Sequence, residues 1–276
     1  MPYPDPSEGP LISSHRGANR EFPENTLEAF RRGIKLGADV LELDIHATQD
    51  GVFVVSHDET GARMAGRPQS IAQSTWSEIR TWDAGWGFAA GNGVHPFRDQ
   101  GIRFPRLEEV LVTFPSTPLN VDVKGAHPAQ LAPLVASIHA VQAEERVLLT
   151  SFSAGTIATL RRLKYAGPLG LSRRDVTRLL LAPERLNRML GFAGVRAQIP
   201  PNSGPFNLSC STFIEKCHRL GLAVDYWVIN DSETASDLLR RGADGIVTDD
   251  VATIATLYRQ SLRTSAWRAR HRATVP

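Results

Sequence analysis

Short apolar segments alternate with helix-forming segments along almost the whole chain, and this alternation constrains the fold more than any other feature. Eight segments read as strands that are each followed by a helical pattern; they begin at Leu11, Val40, Leu119, Val147, Leu169, Val195, Ala223 and Gly245. Strands that alternate with helices pair in parallel. Eight such units predict a closed TIM (β/α)8 barrel rather than an open doubly wound sheet, and 276 residues suit one barrel domain over residues 1–276.

The second unit is interrupted by a predicted hairpin and then by a long excursion. Asp50 and Gly51 are a strong signal for a tight turn, and a β-branched run follows them. If these two residues form the centre of the turn, the numbers of cross-strand partners add up to 101, and His57 stands directly opposite Asp44. Residues 59–104 are rich in Gly, Trp and polar residues without a sustained period, which indicates a functional excursion or lid.

Helix boundaries are marked at several points. Asn25 precedes the first helical pattern and Glu28 stands three residues later, as in a capping box, so Asn25 is predicted to be the N-cap. Gly37 ends the same helix in the position of a C-terminal glycine. A single helix is predicted from Asp175 to Leu190.

Polar residues gather where the predicted strands end. In a parallel barrel the active site lies at the carboxyl ends of the strands. The residues expected at that rim are His15, Arg16, Glu42, Asp44, Asp122, Lys124, Trp227 and Asn230. The fold would therefore bring together residues that are far apart in the sequence.

The carboxylates at this rim need compensation. Glu42 and Asp44 are two residues apart on one strand and share a face, as do Asp122 and Lys124 on another. Inward carboxylates repel unless they are protonated, paired or bound to a cation. The all-oxygen set of Glu42, Asp44 and Asp122 suits a hard divalent cation, Mg²⁺ or Ca²⁺, with Mn²⁺ as a further option.

Composition argues against several partners. The net charge is +2, and no stripe of Lys and Arg alternates with aromatic residues, so a nucleic-acid ligand is not indicated. Cys210 and Cys217 read as small buried residues in a reducing compartment. No apolar run approaches the roughly 18 residues of a membrane span, and the first residues lack the pattern of a signal peptide. We expect a cytoplasmic protein, unless a leader has been removed.

The end of the chain carries the one basic cluster. It lies in residues 263–276 around Trp267 and consists of Arg263, Arg268, Arg270, His271 and Arg272. Such a segment is a frayed terminus or makes weak contact with an anionic membrane surface. The sequence predicts no oligomeric state.

A series of motifs resembles the glycerophosphodiester phosphodiesterase family. The motifs are SHRG at 14–17, PENT at 23–26, GADVLELDIHATQDG at 37–51, VVSHD at 54–58, FPRLEEVL at 104–111, VDVK at 121–124, TSF at 150–152, YWVIND at 226–231 and GADGIVTD at 242–249. Their order and spacing over nearly the whole chain make the resemblance far more specific than any single short pattern.

The resemblance implies a metal-dependent barrel enzyme that hydrolyses glycerophosphodiesters to glycerol 3-phosphate and an alcohol. The implied roles are an acid/base pair of His15 and His57, phosphate contacts from Arg16 and Lys124, and metal ligands Glu42, Asp44 and Asp122. Asp122 stands where the family usually has Glu, so it would ligate through water or draw the ion towards its own strand. Trp227 would pack against the carbon atoms of the substrate.

This chemistry suits the residue types. A phosphodiester gains negative charge in the transition state, which a divalent cation, Arg16 and Lys124 would stabilise. Histidines titrate near neutral pH, so one can accept the proton of the nucleophile while the other protonates the leaving alkoxide. The sequence leaves open which histidine has which role. It also leaves open whether water attacks directly or a neighbouring glycerol hydroxyl first forms a cyclic phosphate.

Two other interpretations remain open. The first is phospholipase D-like cleavage of lysophospholipids or sphingomyelin on the same barrel, which an exposed apolar patch near the rim would favour. The second is a non-catalytic barrel that binds a phosphorylated ligand. The presence of both histidines together with Arg16, Lys124 and the carboxylates argues for catalysis.

Overall fold

The structure, a computed structural model, describes residues 2–5, 9–91 and 93–261. Within these ranges the strands are β1 (Leu11–His15), β2 (Val40–Ala47), β3 (Phe53–Val55), β4 (Leu119–Gly125), β5 (Val147–Thr150), β6 (Arg196–Ile199), β7 (Asn202–Ser203), β8 (Phe206–Asn207), β9 (Ala223–Tyr226) and β10 (Gly245–Thr248). The helices are α1 (Leu27–Leu36), α2 (Ala62–Ala65), α3 (Trp76–Ile79), α4 (Leu107–Thr113), α5 (Leu131–Ala140), α6 (Ala154–Arg162), α7 (Arg173–Leu181), α8 (Glu184–Leu190), α9 (Ser211–Arg219), α10 (Ser232–Arg241) and α11 (Val251–Ser261). Short 3₁₀ helices cover Ile71–Gln73, Pro128–Gln130 and Glu144–Arg146.

The parallel strands form a ring. Seven of them are hydrogen-bonded side by side in the order β5, β4, β2, β1, β10, β9, β6. The eighth position is a segment that makes one parallel bridge to each end of this series, Leu149 with Leu169 and Gly170 with Arg196. The predicted TIM barrel is confirmed, and its predicted strand at Leu169 is reduced to these two bridging residues.

Helix α1 begins one residue later than the sequence predicts. Thr26, not Asn25, is the N-cap: its backbone is extended and its hydroxyl accepts a hydrogen bond from the backbone N of Ala29. Asn25 has a left-handed backbone with φ 58°, and its side chain is bound to Asp44 instead. The predicted C-terminal glycine is confirmed, since Gly37 has φ 106° and donates to the carbonyls of Gly33 and Ile34.

The predicted hairpin is present, but its register is one residue away from the prediction. Ile45 pairs with Val55 and Ala47 with Phe53, so Ser56 and not His57 stands opposite Asp44. The turn is wider than two residues because the Thr48 backbone N bonds to the carbonyl of Val52. β3 ends at Val55, and the chain beyond it turns so that His57 still reaches the barrel rim.

The excursion has a small hydrophobic core of its own. Trp82 and Phe104 are buried and meet edge to face, with ring centroids 6.3 Å apart, and Val54 of β3 joins the same cluster. Trp86 lies outside this cluster beneath the guanidinium of Arg98. In the described parts of the excursion no residue lines the main cleft of the barrel, so its aromatic residues pack the excursion against the barrel.

The predicted helix from Asp175 to Leu190 is two helices. α7 ends at Leu181 and α8 begins at Glu184, because the residue before Pro183 is restricted to extended conformations and Ala182 has φ −89° and ψ 146°. Within the described ranges, no helix combines the length and apolarity that a membrane crossing requires. The basic tail at 263–276 lies outside the described residues.

Candidate active site

Strand register brings the predicted site residues together. β1 and β2 pair His15 with Glu42, and β2 and β4 pair Asp44 with Asp122. One cleft of about 270 Å³ at the carboxyl ends of the strands is lined by the eight residues to which the sequence assigns a catalytic, substrate-binding or metal-binding role: His15, Arg16, Glu42, Asp44, His57, Asp122, Lys124 and Trp227. Asn230, also expected at the rim, does not line the cleft and instead donates to Asp249. The hairpin delivers His57 to this cleft and the loops after β1 and β9 deliver Arg16 and Trp227.

His15 is held by a carboxylate that the sequence analysis did not assign. Its Nδ1 lies 2.7 Å from Oδ1 of Asp249, which also accepts a hydrogen bond from Asn19, while Oδ2 accepts one from Asn230. Burial alone would raise the pKa of Asp249, but these three hydrogen bonds hold it well below its ordinary value. Burial alone would lower the pKa of His15, but the bond to Asp249 and the nearby charge of Glu42 raise it. His15 is therefore oriented and biased towards its protonated form.

His57 also has a carboxylate at Nδ1, and that carboxylate is anchored by the excursion. Nδ1 of His57 is 2.9 Å from Asp58, and Nε of Arg63 donates to the other oxygen of Asp58 at 2.7 Å. Both terminal nitrogens of Arg63 donate to Glu24, at 2.9 and 2.6 Å. Glu24 in turn accepts from Arg16 at 3.1 Å. A continuous set of ion pairs thus connects His57 to the predicted phosphate-binding arginine.

The carboxylates of the cleft are buried around Lys124. Its ammonium is 3.1 Å from Asp44 and 2.7 Å from Asp122. Burial raises the pKa of Asp122 in spite of this neighbour. Burial and the charge of Asp44 raise the pKa of Glu42 to about 7. Removing these oxygens from water is costly unless a cation compensates their charge.

The donor set fits a divalent cation, with one adjustment. It consists of carboxylate oxygens, which hard cations prefer, and Oδ1 of Asp122 is buried without a hydrogen-bond partner. Among the described residues, no three His, Cys, Asp or Glu side chains form a preassembled metal cage. The ammonium of Lys124 lies between the carboxylates of Asp44 and Asp122, at 3.1 and 2.7 Å. A cation at Glu42, Asp44 and Asp122 requires Lys124 to turn away from at least one aspartate.

The loop after β1 holds a strained shape that positions Arg16. Arg16 has φ 55°, its backbone N donates to Glu42 at 3.0 Å, and its Nε lies 3.4 Å from Asp44. Gly17 follows with φ 80°, and a Cβ there would come within 2.7 Å of Ala29. Only glycine allows the loop to approach α1 this closely. The guanidinium is thereby placed at the rim of the cleft.

One wall of the cleft is aromatic. Trp227 and Phe152 meet edge to face with ring centroids 6.2 Å apart, and Phe152 is half exposed. The ammonium of Lys124 lies 5.6 Å from the centre of the Phe152 ring. A ligand in this cleft would have cations and carboxylates on one side and apolar surface on the other.

Sequence reasoning missed four residues that support the site. Asp249 directly follows the last strand, inside the GADGIVTD motif, so the position of active sites at the carboxyl ends of barrel strands could have identified it. The sequence pattern predicts Asn25 as a helix cap rather than as a site residue. Its left-handed backbone could not have been predicted from the sequence, apart from the fact that Asn tolerates this conformation. Glu24 and Arg63 form ion pairs with residues that are distant in sequence, which no local pattern predicts.

Known proteins share this architecture. The model of the glycerophosphoryl diester phosphodiesterase family matches residues 15–253. A glycerophosphodiester phosphodiesterase of Caldanaerobacter subterraneus subsp. tengcongensis is 29% identical over 256 residues, which cover 91% of this chain and 98% of that protein. Human lysophospholipase D GDPD3 is 26% identical over 265 residues, which cover 86% of this chain and 81% of that protein.

A solved structure agrees with the sequence relatives. The crystal structure of a glycerophosphodiester phosphodiesterase from Agrobacterium tumefaciens aligns with a TM-score of 0.73 at 25% identity, covering 90% of this chain and 100% of that one. The family match extends from His15 at the end of β1 to Thr253 in α11, and so includes every barrel strand after β1. The chain therefore belongs to the glycerophosphoryl diester phosphodiesterase family and is a phosphodiester hydrolase built on a TIM barrel.

Proposed function

We propose that this enzyme hydrolyses glycerophosphodiesters to glycerol 3-phosphate and an alcohol by acid/base catalysis with His15 and His57. The observation that carries the proposal is that both imidazoles line one cleft and each is held at Nδ1 by a carboxylate. This leaves Nε2 of each ring as the nitrogen that exchanges a proton with the substrate. Acid and base are thus provided by two separately oriented groups.

His15 is assigned as the general acid. The hydrogen bond to Asp249 and the charge of Glu42 raise the pKa of His15 against the effect of burial, so His15 retains its proton at neutral pH more readily than an ordinary histidine. A group that must protonate the leaving alkoxide benefits from this bias. His57 then accepts the proton of the attacking hydroxyl group.

Charge on the phosphate is stabilised by the cations at the rim. Arg16 can offer two N–H groups to phosphate oxygens, and Lys124 offers a mobile point charge. A divalent cation, Mg²⁺, Ca²⁺ or Mn²⁺, would be held by Glu42, Asp44 and Asp122 and would supply further electrostatic stabilisation of the transition state when bound. Trp227 and Phe152 provide the apolar surface against which the carbon atoms of the glycerol would pack.

The test is release of glycerol 3-phosphate from glycerophosphocholine and glycerophosphoethanolamine. We expect EDTA to abolish release and a divalent cation to restore it. His15→Ala and His57→Ala should each lower kcat by at least about a hundredfold, as loss of a general acid or base predicts. His139→Ala is the matched control, because that histidine is an exposed residue of α5.

Other outcomes would separate the remaining alternatives. Binding of glycerol 3-phosphate without cleavage of any diester, with each cation supplied in turn, would identify a non-catalytic barrel and refute the proposal. Phosphorus NMR during turnover distinguishes the two routes of attack, because a cyclic glycerol phosphate accumulates or is trapped only when a substrate hydroxyl attacks first.

A further inference from the structure

The floor of the catalytic cleft contains a buried amide that the proposed mechanism does not use. Asn120 lies on β4 and lines the cleft, although the residue is only 2% exposed. It is paired in register with Glu42, whereas Asp122 is paired with Asp44. Residues i and i+2 of a strand share a face and lie about 7 Å apart along it. Asn120 is therefore one layer deeper in the barrel than the aspartates on either side of Lys124.

A chain of hydrogen bonds fixes the direction in which this amide points. The carboxylate of Asp225 can only accept hydrogen bonds, and it is the ion-pair partner of Arg196. Nε2 of Gln198 therefore donates to Asp225 at 3.3 Å, and the side-chain oxygen of Gln198 accepts from Nδ2 of Asn120 at 3.2 Å. The opposite orientation of the Asn120 amide would place two carbonyl oxygens against each other. Oδ1 of Asn120 is thereby turned away from Gln198.

This Oδ1 is an acceptor that the protein leaves unused. It is buried, and among the described residues none donates a hydrogen bond to it. Buried polar atoms in native structures are nearly always hydrogen-bonded, because leaving one without a partner is unfavourable. Since Asn120 lines the cleft, a molecule bound there can supply the donor.

Two hydroxyl groups of the same cleft are also arranged as acceptors. Thr150 and Ser151 both line it. Their hydroxyls donate to the backbone carbonyls of Val121 and Val123, at 3.4 and 2.8 Å. Each hydroxyl has one hydrogen, so what remains for a ligand is a lone pair. This part of the cleft therefore favours a ligand that carries a hydrogen-bond donor.

We propose that Oδ1 of Asn120 accepts a hydrogen bond from the terminal hydroxyl of the glycerol moiety. The phosphate would lie at the rim near Arg16 and Lys124, and the three-carbon chain would reach down to the floor. The other glycerol hydroxyl would stay beside the phosphate, where it serves either route of attack. A hydroxyl supplies the donor without the cost of burying a net charge at this depth. This proposal rests on the proposed function, because it names the feature of a glycerophosphodiester that the same site selects.

The experiment compares glycerophosphocholine with propane-1,2-diol 1-phosphocholine, which lacks only the terminal hydroxyl. We expect the wild type to cleave glycerophosphocholine with a kcat/KM about tenfold to a hundredfold higher, since the analogue leaves a buried acceptor without a donor. In Asn120→Ala this preference should shrink to within about threefold. Loss of the acceptor should lower kcat/KM for glycerophosphocholine and leave kcat/KM for the analogue nearly unchanged.

Asn187→Ala is the matched control. Asn187 of α8 is fully buried and its Oδ1 likewise lacks a partner within the described part of the chain, but Asn187 does not line the cleft. Its substitution should leave the preference at the wild-type value. The ratio of kcat/KM for two substrates, measured on one preparation, does not depend on how much of a variant is folded.

The outcomes separate the two proposals. Equal kcat/KM for the two diesters with the wild type overturns the role of Asn120 alone, since glycerophosphocholine is still cleaved. A preference that persists in Asn120→Ala also overturns it, because another group then recognises the hydroxyl. If no diester is cleaved, the proposed function fails, and calorimetry with glycerol 3-phosphate and propane-1,2-diol 1-phosphate decides. Weaker binding of the second compound to the wild type, but not to Asn120→Ala, supports the role of Asn120, and equal binding of both compounds to the wild type refutes it.

Discussion

At the residue scale, the pKa of His15 depends most strongly on its hydrogen bond to the carboxylate of Asp249, with a further contribution from the charge of Glu42. Asp249 accepts hydrogen bonds from His15, Asn19 and Asn230, and these bonds lower its pKa against the effect of burial. An ionised Asp249 stabilises the protonated imidazole, which raises the pKa of His15. Without that charge, burial would dominate and would favour the neutral ring.

Asp249→Asn is therefore expected to shift the pH dependence of the reaction. The variant lowers the pKa of His15, so a general acid at this position loses its proton at a lower pH. The alkaline limb of the kcat profile should move to lower pH, and kcat at neutral pH should fall by about tenfold or more. Asp250→Asn is the control, because that carboxylate pairs with Arg20 at the surface. An unshifted alkaline limb in Asp249→Asn would remove His15 from the acid role.

At the scale of elements, two neighbouring residues at the start of α1 have different roles: one stabilises the helix and the other positions a residue of the site. Thr26 caps the helix, whereas the neighbouring Asn25 binds Asp44. Thr26→Ala should lower the free energy of unfolding by about 1 kcal/mol and leave kcat nearly unchanged. Asn25→Ala should instead reduce activity, because Asp44 loses its amide partner and the left-handed backbone becomes strained. Urea denaturation and kcat of both variants check this, and a reversed pattern would restore Asn25 as the cap.

The excursion is expected to act on the site through Arg63. This residue of α2 joins Asp58, the partner of His57, to Glu24, the partner of Arg16. Its side chain is 46% exposed, so its ion pairs contribute at most about 1 kcal/mol to stability. Arg63→Met should nevertheless lower kcat/KM by about tenfold, because His57 and Arg16 lose a shared anchor.

Arg67→Met is the matched control for the excursion. Arg67 is an exposed arginine on the segment after α2. Equal kcat/KM values for the Arg63 and Arg67 variants would show that the ion-pair connection is incidental. A large loss of Tm in Arg63→Met would point to a structural role instead.

At the scale of the whole molecule, polar side chains continue beneath the cleft into the interior of the barrel. Asn120 donates to Gln198, Gln198 donates to Asp225, and Asp225 forms a bidentate pair with Arg196 at 2.8 and 2.6 Å. Arg196 and Asp225 are each 2% exposed. A buried pair of this kind is costly to break because one charge is left uncompensated.

Asp225→Ala should therefore destabilise the barrel by about 3–5 kcal/mol, measured by urea denaturation. The double change Arg196→Met with Asp225→Leu should recover most of that loss, because it removes both charges and fills the space. A loss below about 1 kcal/mol for Asp225→Ala would show that water reaches the guanidinium and that the pair is not a main support of the barrel.

Much of the architecture was readable from local patterns. Period and turn signals placed the strands, and Gly37 marked the end of α1. Among the predictions that were wrong are the register of the hairpin and the single helix from Asp175 to Leu190. The register of the hairpin changed because the Thr48 backbone N bonds to the Val52 carbonyl, and the helix predicted through Pro183 divided because proline restricts the residue before it.

The sequence by itself determined the barrel, the family and eight of the residues that line the cleft. Residue types at alternating strand positions and the order of motifs can be read directly along the chain. Only the tertiary structure decided the partners of those residues. The bonds of Asp249 to His15 and of Arg63 to Glu24 join segments that are distant along the chain. Such contacts depend on how strands register and helices pack, since hydrogen bonds and burial are set by distance in space rather than by position in the chain.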